Sequence, residues 1–447
     1  MSSENSSSEK LNWVEKQFRM KELGTNVKKE TLAGITTFVS MAYILFVNPS
    51  VLGASGMDKG AVFTAMSAIL GCLLMAFLAN YPIAIAPGLG DNAFFTYSVV
   101  LAMGIKWQTA LAGVVVASII FTILTFFKIR EIVINAIPHN LKLAMAAGIG
   151  MFIAFIGLQG GGLVVASKSS LVQLGSLTVP TTWLTIFGLF VTALLMARKV
   201  PGSIFIGIVA TAILGLVTGL IKAPSQIVSS IPSMKPTFAV GIKHLGDVNT
   251  PQMWAVVLIF LLVAFFDTAG TLIGLAQQAG LMKNDKMPRI GQALMADSVS
   301  MLAGSVMGTT PTAAYVESSA GIAVGGRTGF TALVVAVLFG FGMFFSPLLS
   351  VVTTQVTAPA LIIVGALMAQ SLKEIEWDKF EIALPAFLTV IAMPLTYNIS
   401  YGFAFAFLIY PITMIAAGRK KELNPVVIAL FFVFIVMLYV LNVLPSK

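Results

Sequence analysis

Residues 81–100 read YPIAIAPGLGDNAFFTYSVV. The stretch is apolar enough for a membrane-crossing helix, yet Pro82, Pro87, Gly88 and Gly90 oppose a continuous one. Proline removes a backbone donor and clashes with the preceding turn. A second stretch is similarly interrupted: GTTPTAAYVESSAGIAVGG, residues 308–326, carries Pro311, Gly321, Gly325 and Gly326. At membrane depth, non-helical backbone is tolerated only where protein buries it or where it lines a cavity.

The rest of the chain makes membrane depth the relevant setting. It has 447 residues, 57% of them hydrophobic and 10% charged, with a mean hydropathy of +0.95. A soluble domain carries about 25% charged residues, and a spanning helix needs roughly 20 mainly apolar ones. Segments of that kind fall near 31–52, 60–80, 84–102, 107–127, 138–157, 182–197, 203–221, 252–276, 290–308, 312–325, 328–347, 359–372, 380–396 and 400–417. The fold class is an all-α polytopic membrane protein with 14 spans; a β-barrel would show short alternating strands. A last apolar stretch, 425–444, is long enough to cross or to lie against the bundle.

The interrupted segments are the third and the tenth. Fourteen spans divide into two sevens, and an odd-numbered repeat must insert upside down relative to its copy. Interrupted spans at matching positions of two halves point to a transporter's binding site.

Charge supports this count. With the N-terminus in the cytoplasm, the inner segments hold 20 Lys and Arg and the outer loops 6, as the positive-inside rule expects. The net charge of +9 follows topology, so it does not indicate nucleic acid. The single Cys72 excludes an internal disulfide and a cysteine metal site. Residues 1–10 are polar and lack the apolar core of a cleavable signal; this expected tail reads as disordered. GLQGGG at 157–162 reads as turns or helix contacts rather than a phosphate loop. No cofactor is expected. No metal cluster, nucleotide loop or Ser/His/Asp set suggests an enzyme.

Of the 18 acidic residues, four fall within spans away from their ends: Asp91, Asp267, Asp297 and Glu317, in spans 3, 8, 9 and 10. Such carboxylates cost about 3 kcal/mol to insert and mark function by default. Glu317 and Asp267 read as substrate or proton groups, although Asp267 could instead pack through a bond to Thr271. Asp297 is either a structural partner or part of a proton path. Asp91 is expected to cap the second half of span 3, since helix N-termini favour aspartate. No Lys or Arg falls at mid-span, which disfavours an anionic substrate. A flat heterocycle with N–H groups on its edge suits carboxylates and an amide, with Asn92, Phe94 and Phe95 close by in sequence and aromatic rings able to sandwich it.

GITTFVSMAYILFVNPSVL (34–52), APGLGDNAFFTYSVV (86–100), FFDTAGTLIG (265–274), ADSVSMLAGSVMGTT (296–310) and AYVESSAGIAVGGRTG (314–329) closely resemble the AzgA-like purine permeases. These are the hypoxanthine/guanine/adenine branch of the nucleobase:cation symporter-2 family. The resemblance covers nearly the whole chain from about residue 28. It implies a 7+7 inverted repeat with short strands in spans 3 and 10. A cytoplasmic tail (1–30) would precede a core domain of 31–127 and 252–347 and a gate domain of 128–221 and 348–418. An extracellular loop (222–251) would join the halves, and an apolar segment (419–447) would end the chain.

The resemblance also assigns residues. Asp267, Glu317, Gly90 and Asn92 match substrate positions, Ala93 and Val316 line the pocket, and Thr271 stands one turn after Asp267. Glu317, Asp267 and Asp297 are the candidates for proton coupling. The position between Gly90 and Asn92 is often apolar in this branch, and here it is Asp91. The implied activity is import of a purine with protons, Na⁺ being the less favoured ion, in a bacterial cytoplasmic membrane, with a homodimer through the gate domain as a further expectation. The alternatives are a xanthine or uracil permease, or an anion transporter of the same fold.

Overall fold

The computed structural model describes residues 13–58, 61–129, 136–282 and 287–443, with residues 61, 62, 266, 267, 269, 270 and 273 described by their backbone alone. A helix, or a strand followed by a helix, falls on each of the fourteen expected segments. Among the described residues, eight helices are long and apolar enough to cross a membrane, and four shorter apolar helices accompany them. Residues 1–12 of the expected tail lie outside the described residues, as do Lys59, Arg130, Lys283, Lys286 and Lys447 of the charge tally.

The helix starts follow local chemistry. Asn26, Thr250, Thr328, Asn398 and Asn424 each accept a hydrogen bond from a backbone N–H of the turn that they open, satisfying donors that a helix start leaves unpaired. Pro251 and Pro425 stand at the first helical positions, where a missing N–H costs nothing. The first span is bent. Val27–Met41 and Ile44–Gly53 are separate helices, with Ala42 and Tyr43 at the joint.

Two groups of helices share most of the packing. In one, Trp107–Phe126 packs on Ile290–Met307 and Pro251–Gln278, while Gly329–Gly342 packs on Val27–Met41 and Ala61–Leu74. In the other, His139–Gly160 packs on Thr354–Met368 and Phe380–Thr396, and Pro180–Ala197 packs on Ser203–Val217. The first group carries hydroxyls at its seams: Thr125 Oγ1 lies 2.7 Å from Ser298 Oγ, and Thr122 Oγ1 donates to the Ser298 carbonyl.

Three features add to the sequence reading. Residues 158–181 hold a two-stranded hairpin, β2 (Val164–Ser167) with β3 (Leu171–Leu174), turning at a polar tip of Lys168, Ser169 and Ser170. This adds a second small sheet to the expected all-α class; two short runs rich in Val and Leu around a polar Lys-Ser-Ser turn favour it. Segment 13–25 is folded against the bundle, where Phe18 packs on Phe77 and Phe330 and its carbonyl accepts from Asn80 Nδ2. Residues 237–248 fold back too: Ala239 N–H donates to the Val306 carbonyl at 2.7 Å, and Thr237 Oγ1 to Met307 at 3.1 Å.

The last helix, Pro425–Asn442, runs antiparallel to Ile399–Ala416. Phe434 stacks on Phe407 at 5.2 Å, and Asn442 accepts from the Tyr401 hydroxyl at 2.7 Å. The rest of its surface is largely uncovered by protein, which suits a helix apolar all round.

Candidate functional site

The two interrupted segments meet. β1 (Ile85–Pro87) pairs antiparallel with β4 (Thr312–Ala314), with Ile85 opposite Ala314, Ala86 opposite Ala313 and Pro87 opposite Thr312. The ladder extends beyond the strands: Tyr315 N–H donates to the Ala84 carbonyl and Gly88 N–H to that of Pro311. Ala84 N–H donates to Ser318 Oγ, and the Tyr315 hydroxyl to the Pro87 carbonyl. Backbone broken by proline and glycine is thus satisfied within protein, as membrane depth demands. Alanines at 84, 86, 313 and 314 are all buried and keep the crossing thin. From each strand the chain passes into a helix, Leu89–Ala93 after β1 and Ser318–Ala323 after β4.

A cavity of about 840 Å³ opens beside this crossing. Glu317, Val316, Gly90 and Thr271 line it, together with Tyr43, Tyr315, Ile149 and Met368. Glu317 is half-buried at the start of the Ser318–Ala323 helix and accepts from the Tyr43 hydroxyl at Oε1, 2.5 Å away. Val316 is 62% exposed and presents its side chain to the open space. Gly90 is a wall of bare backbone; a Cβ there would stand 3.0 Å from the Ile149 methyl. The cavity also reaches the turn Lys199–Gly202, so a basic side chain borders it, which a search for charges at mid-span does not reveal.

Other expected site residues stand behind the wall. Asn92 is buried, and its Oδ1 accepts from the Thr310 hydroxyl, tying the third segment to the tenth. Ala93 is nearly buried, and Phe94 is fully buried, packed edge-on against Phe260 at 4.9 Å. The expected aromatic sandwich is therefore not formed by Phe94, whose ring is packed in the core. Asp297 is buried and accepts from Thr268 Oγ1 at 3.3 Å, which couples it to the helix carrying Asp267. Asp267 itself lies on Pro251–Gln278, one turn before Thr271, and its side chain lies outside the described residues. Asp91 is not the cap. Gly88 holds that position, and Asp91 sits buried in the first turn of Leu89–Ala93, where the helix dipole still favours a carboxylate.

Sequence reasoning does not single out Tyr43. The signal is the tyrosine of MAYILF, in the middle of a span, whose hydroxyl must find a partner once buried. Among the described residues no group of three or more His, Cys, Asp and Glu could hold a metal ion.

Comparison with known proteins matches this architecture at two levels. The transmembrane domain of a cyanobacterium bicarbonate transporter, BicA, is similar with a TM-score of 0.61 at 17% identity, covering 88% of this chain and 97% of that one. The murine anion transporter Slc26a9 in its inward-facing state is similar with a TM-score of 0.58 at 14% identity, over 93% and 74% of the two chains. These likenesses concern the fold. In sequence, the guanine/hypoxanthine permease PbuG of Bacillus subtilis is 54% identical over 94% of this chain and 98% of its own length. The adenine permease AdeQ of Escherichia coli is 41% identical over 93% and 94%. The model described as "Permease family", Xan_ur_permease, matches residues 28–405. The chain belongs to this permease family, and it is an integral membrane transporter rather than an enzyme.

Proposed function

We propose that this protein imports purine nucleobases by proton symport, with guanine, hypoxanthine and adenine as the substrate set. The observation that carries the reading is Glu317: a carboxylate on the wall of a cavity formed where the two broken segments cross. The names of the relatives PbuG and AdeQ supply the substrate class. Chemistry agrees with them. A carboxylate accepts from ring N–H groups when ionised and donates to a ring nitrogen or carbonyl when protonated. The same group can thus recognise the base and carry a proton. Gly90, Val316 and Thr271 would flank the bound ring, with Asp267 as the second carboxylate. Asn92, Ala93 and Phe94 would hold the backbone of the third segment in place. Glu317, Asp267 and Asp297 remain the candidates for the coupling proton.

Alternating access would come from the group of helices in 31–127 and 252–347 moving as a core against the gate group, 128–221 and 348–418. The separate packing of the two groups supports that division. The cavity reaches Lys199, a residue that the charge distribution assigns to the cytoplasmic side, which supports an inward-open state. The reading includes a cytoplasmic N-terminus, fourteen spans in a 7+7 inverted repeat and residence in the cell membrane. The course of Pro425–Asn442 alongside Ile399–Ala416 supports one further crossing, with the C-terminus outside. A homodimer through the gate helices completes the proposal.

The test is uptake of labelled hypoxanthine into proteoliposomes, with and without an inward proton gradient, competed by guanine, adenine, xanthine and uracil. Gradient-driven accumulation blocked by the first two competitors is expected. Accumulation blocked by uracil or xanthine alone would replace the substrate class. Glu317→Gln should weaken hypoxanthine binding by on the order of 2 kcal/mol, about thirtyfold, and should remove gradient dependence if Glu317 carries the proton.

A further inference from the structure

The bend in the first span lies beside the site. Val27–Met41 ends, Ala42 and Tyr43 intervene, and Ile44–Gly53 begins with the Val47 N–H donating to the Tyr43 carbonyl at 2.9 Å. Tyr43 is 1% exposed. Its ring is packed within protein, and its hydroxyl reaches Glu317 Oε1 at 2.5 Å across 274 residues of sequence. The donor is a phenol on one half of the chain; the acceptor is the cavity carboxylate on the other. One hydroxyl engages one of about four acceptor positions of the carboxylate, which leaves it capacity to accept from a ligand.

We propose that Tyr43 is a positioning residue for Glu317: its hydroxyl fixes the carboxylate rotamer at the cavity wall and sets the pH at which Glu317 exchanges its proton. This rests on the reading of Glu317 as the substrate and proton group. The physical basis is that a hydrogen bond donated to a carboxylate favours the ionised form, and that a bond to a charged group is stronger than one between neutral groups. Other titratable groups around Glu317 are few. Among the described residues the cavity wall adds Lys199 from the Lys199–Gly202 turn and Tyr315, just after β4, whose hydroxyl donates to the Pro87 carbonyl. The helix Pro251–Gln278 contributes Asp267, described by its backbone alone, and neutral Thr271. Thr354–Met368 contributes Val364, Leu367 and Met368, which do not titrate. Asp91 and Asp297 are buried behind the wall.

The experiment compares wild type, Tyr43→Phe, Glu317→Gln and the double variant. Phenylalanine keeps the buried ring and deletes only the oxygen, so the folded protein should elute as wild type does in detergent. The first readout is infrared titration of the purified protein without substrate, the carboxylic C=O band of Glu317 being identified by its loss in Glu317→Gln. Tyr43→Phe is expected to move the midpoint of that band up by about one pH unit. The second readout is hypoxanthine uptake, where KM should rise about tenfold with a smaller change in Vmax, and where the double variant should match Glu317→Gln alone. An unmoved infrared midpoint overturns the proposal, as does a double variant worse than Glu317→Gln by the full factor of Tyr43→Phe. Because the infrared titration needs no purine, wild-type protein that transports no purine would overturn the functional reading and leave the link between Tyr43 and Glu317 to stand or fall by the band.

Discussion

Tyr315 donates its hydroxyl to the carbonyl of Pro87 at 2.5 Å, a bond from the residue after β4 to the end of β1 in the opposite half. Pro87 has no N–H to offer, so its carbonyl is what it contributes to polar pairing. Tyr315→Phe would leave that carbonyl unsatisfied beside the cavity at a cost of about 1–2 kcal/mol. Thermal unfolding in detergent should show a lowered Tm, and hypoxanthine affinity should fall with it because β4 and the residues that follow β1 shape the wall. A Tm equal to wild type would mean that water replaces the bond without loss.

A second prediction concerns how the helix bearing Glu317 at its start is held. Gly321 faces the first span so closely that a Cβ would come within 2.1 Å of Thr37 Oγ1 and 2.5 Å of the Ala33 carbonyl. The backbone oxygen cannot swing aside. Gly321→Ala should therefore cost roughly 1–3 kcal/mol through overpacking and displace Glu317 from Tyr43. The check is paired: unfolding for stability, and hypoxanthine binding for the site. Unchanged values in both would show that Ser318–Ala323 is free to shift.

The third prediction lies at the surface. Arg419 pairs with Glu381 and Glu422 at 2.7 Å each, and Lys379 pairs with Glu376, which also accepts from Asn140 Nδ2. The Arg419 guanidinium holds the Glu422 carboxyl below its usual range; Lys379, and then Asn140, do so for Glu376. A carboxylate depressed in the folded state stabilises above its unfolded value, and the contribution fades as pH falls through the folded one. The network should therefore be at full strength at neutral pH and weaken once the medium is acidified below about pH 4. These groups face solvent, so the effect should be small and salt-sensitive. Measured as Tm against pH, Arg419→Gln should flatten the acid limb; an unaltered limb would assign acid sensitivity elsewhere.

The broken segments were legible because proline and glycine act locally: Pro82, Pro87 and Pro311 announce a break whatever surrounds them. Each expected span finds its element because apolar length is a property of the sequence alone. What escaped depends on partners distant in the chain. Tyr43 looks like any tyrosine in a span until residue 317 is placed beside it. Phe94 looks like a stacking platform until the turn of the Leu89–Ala93 helix carries it against Phe260. Lys199 belongs by sequence to a loop, and only the fold brings that loop to the cavity. The buried Glu30 is by sequence the end of the tail, and only the fold shows its carboxylate accepting from the backbone of Arg327 and Thr328 and from the Thr331 hydroxyl. It thereby fastens the chain just beyond the Ser318–Ala323 helix.

The antiparallel crossing of β1 and β4 bears on how the protein is made. Ala84 and its partner Ser318 are 234 residues apart. A ribosome finishes the first half long before it reaches the second, so the third segment enters the bilayer with a strand edge that nothing yet pairs. Bare backbone of that kind is costly in hydrocarbon, and pairings between distant residues form slowly. That edge finds its partner only when residues 312–315 arrive. The crossing that builds the site can close only after the second half has begun to emerge.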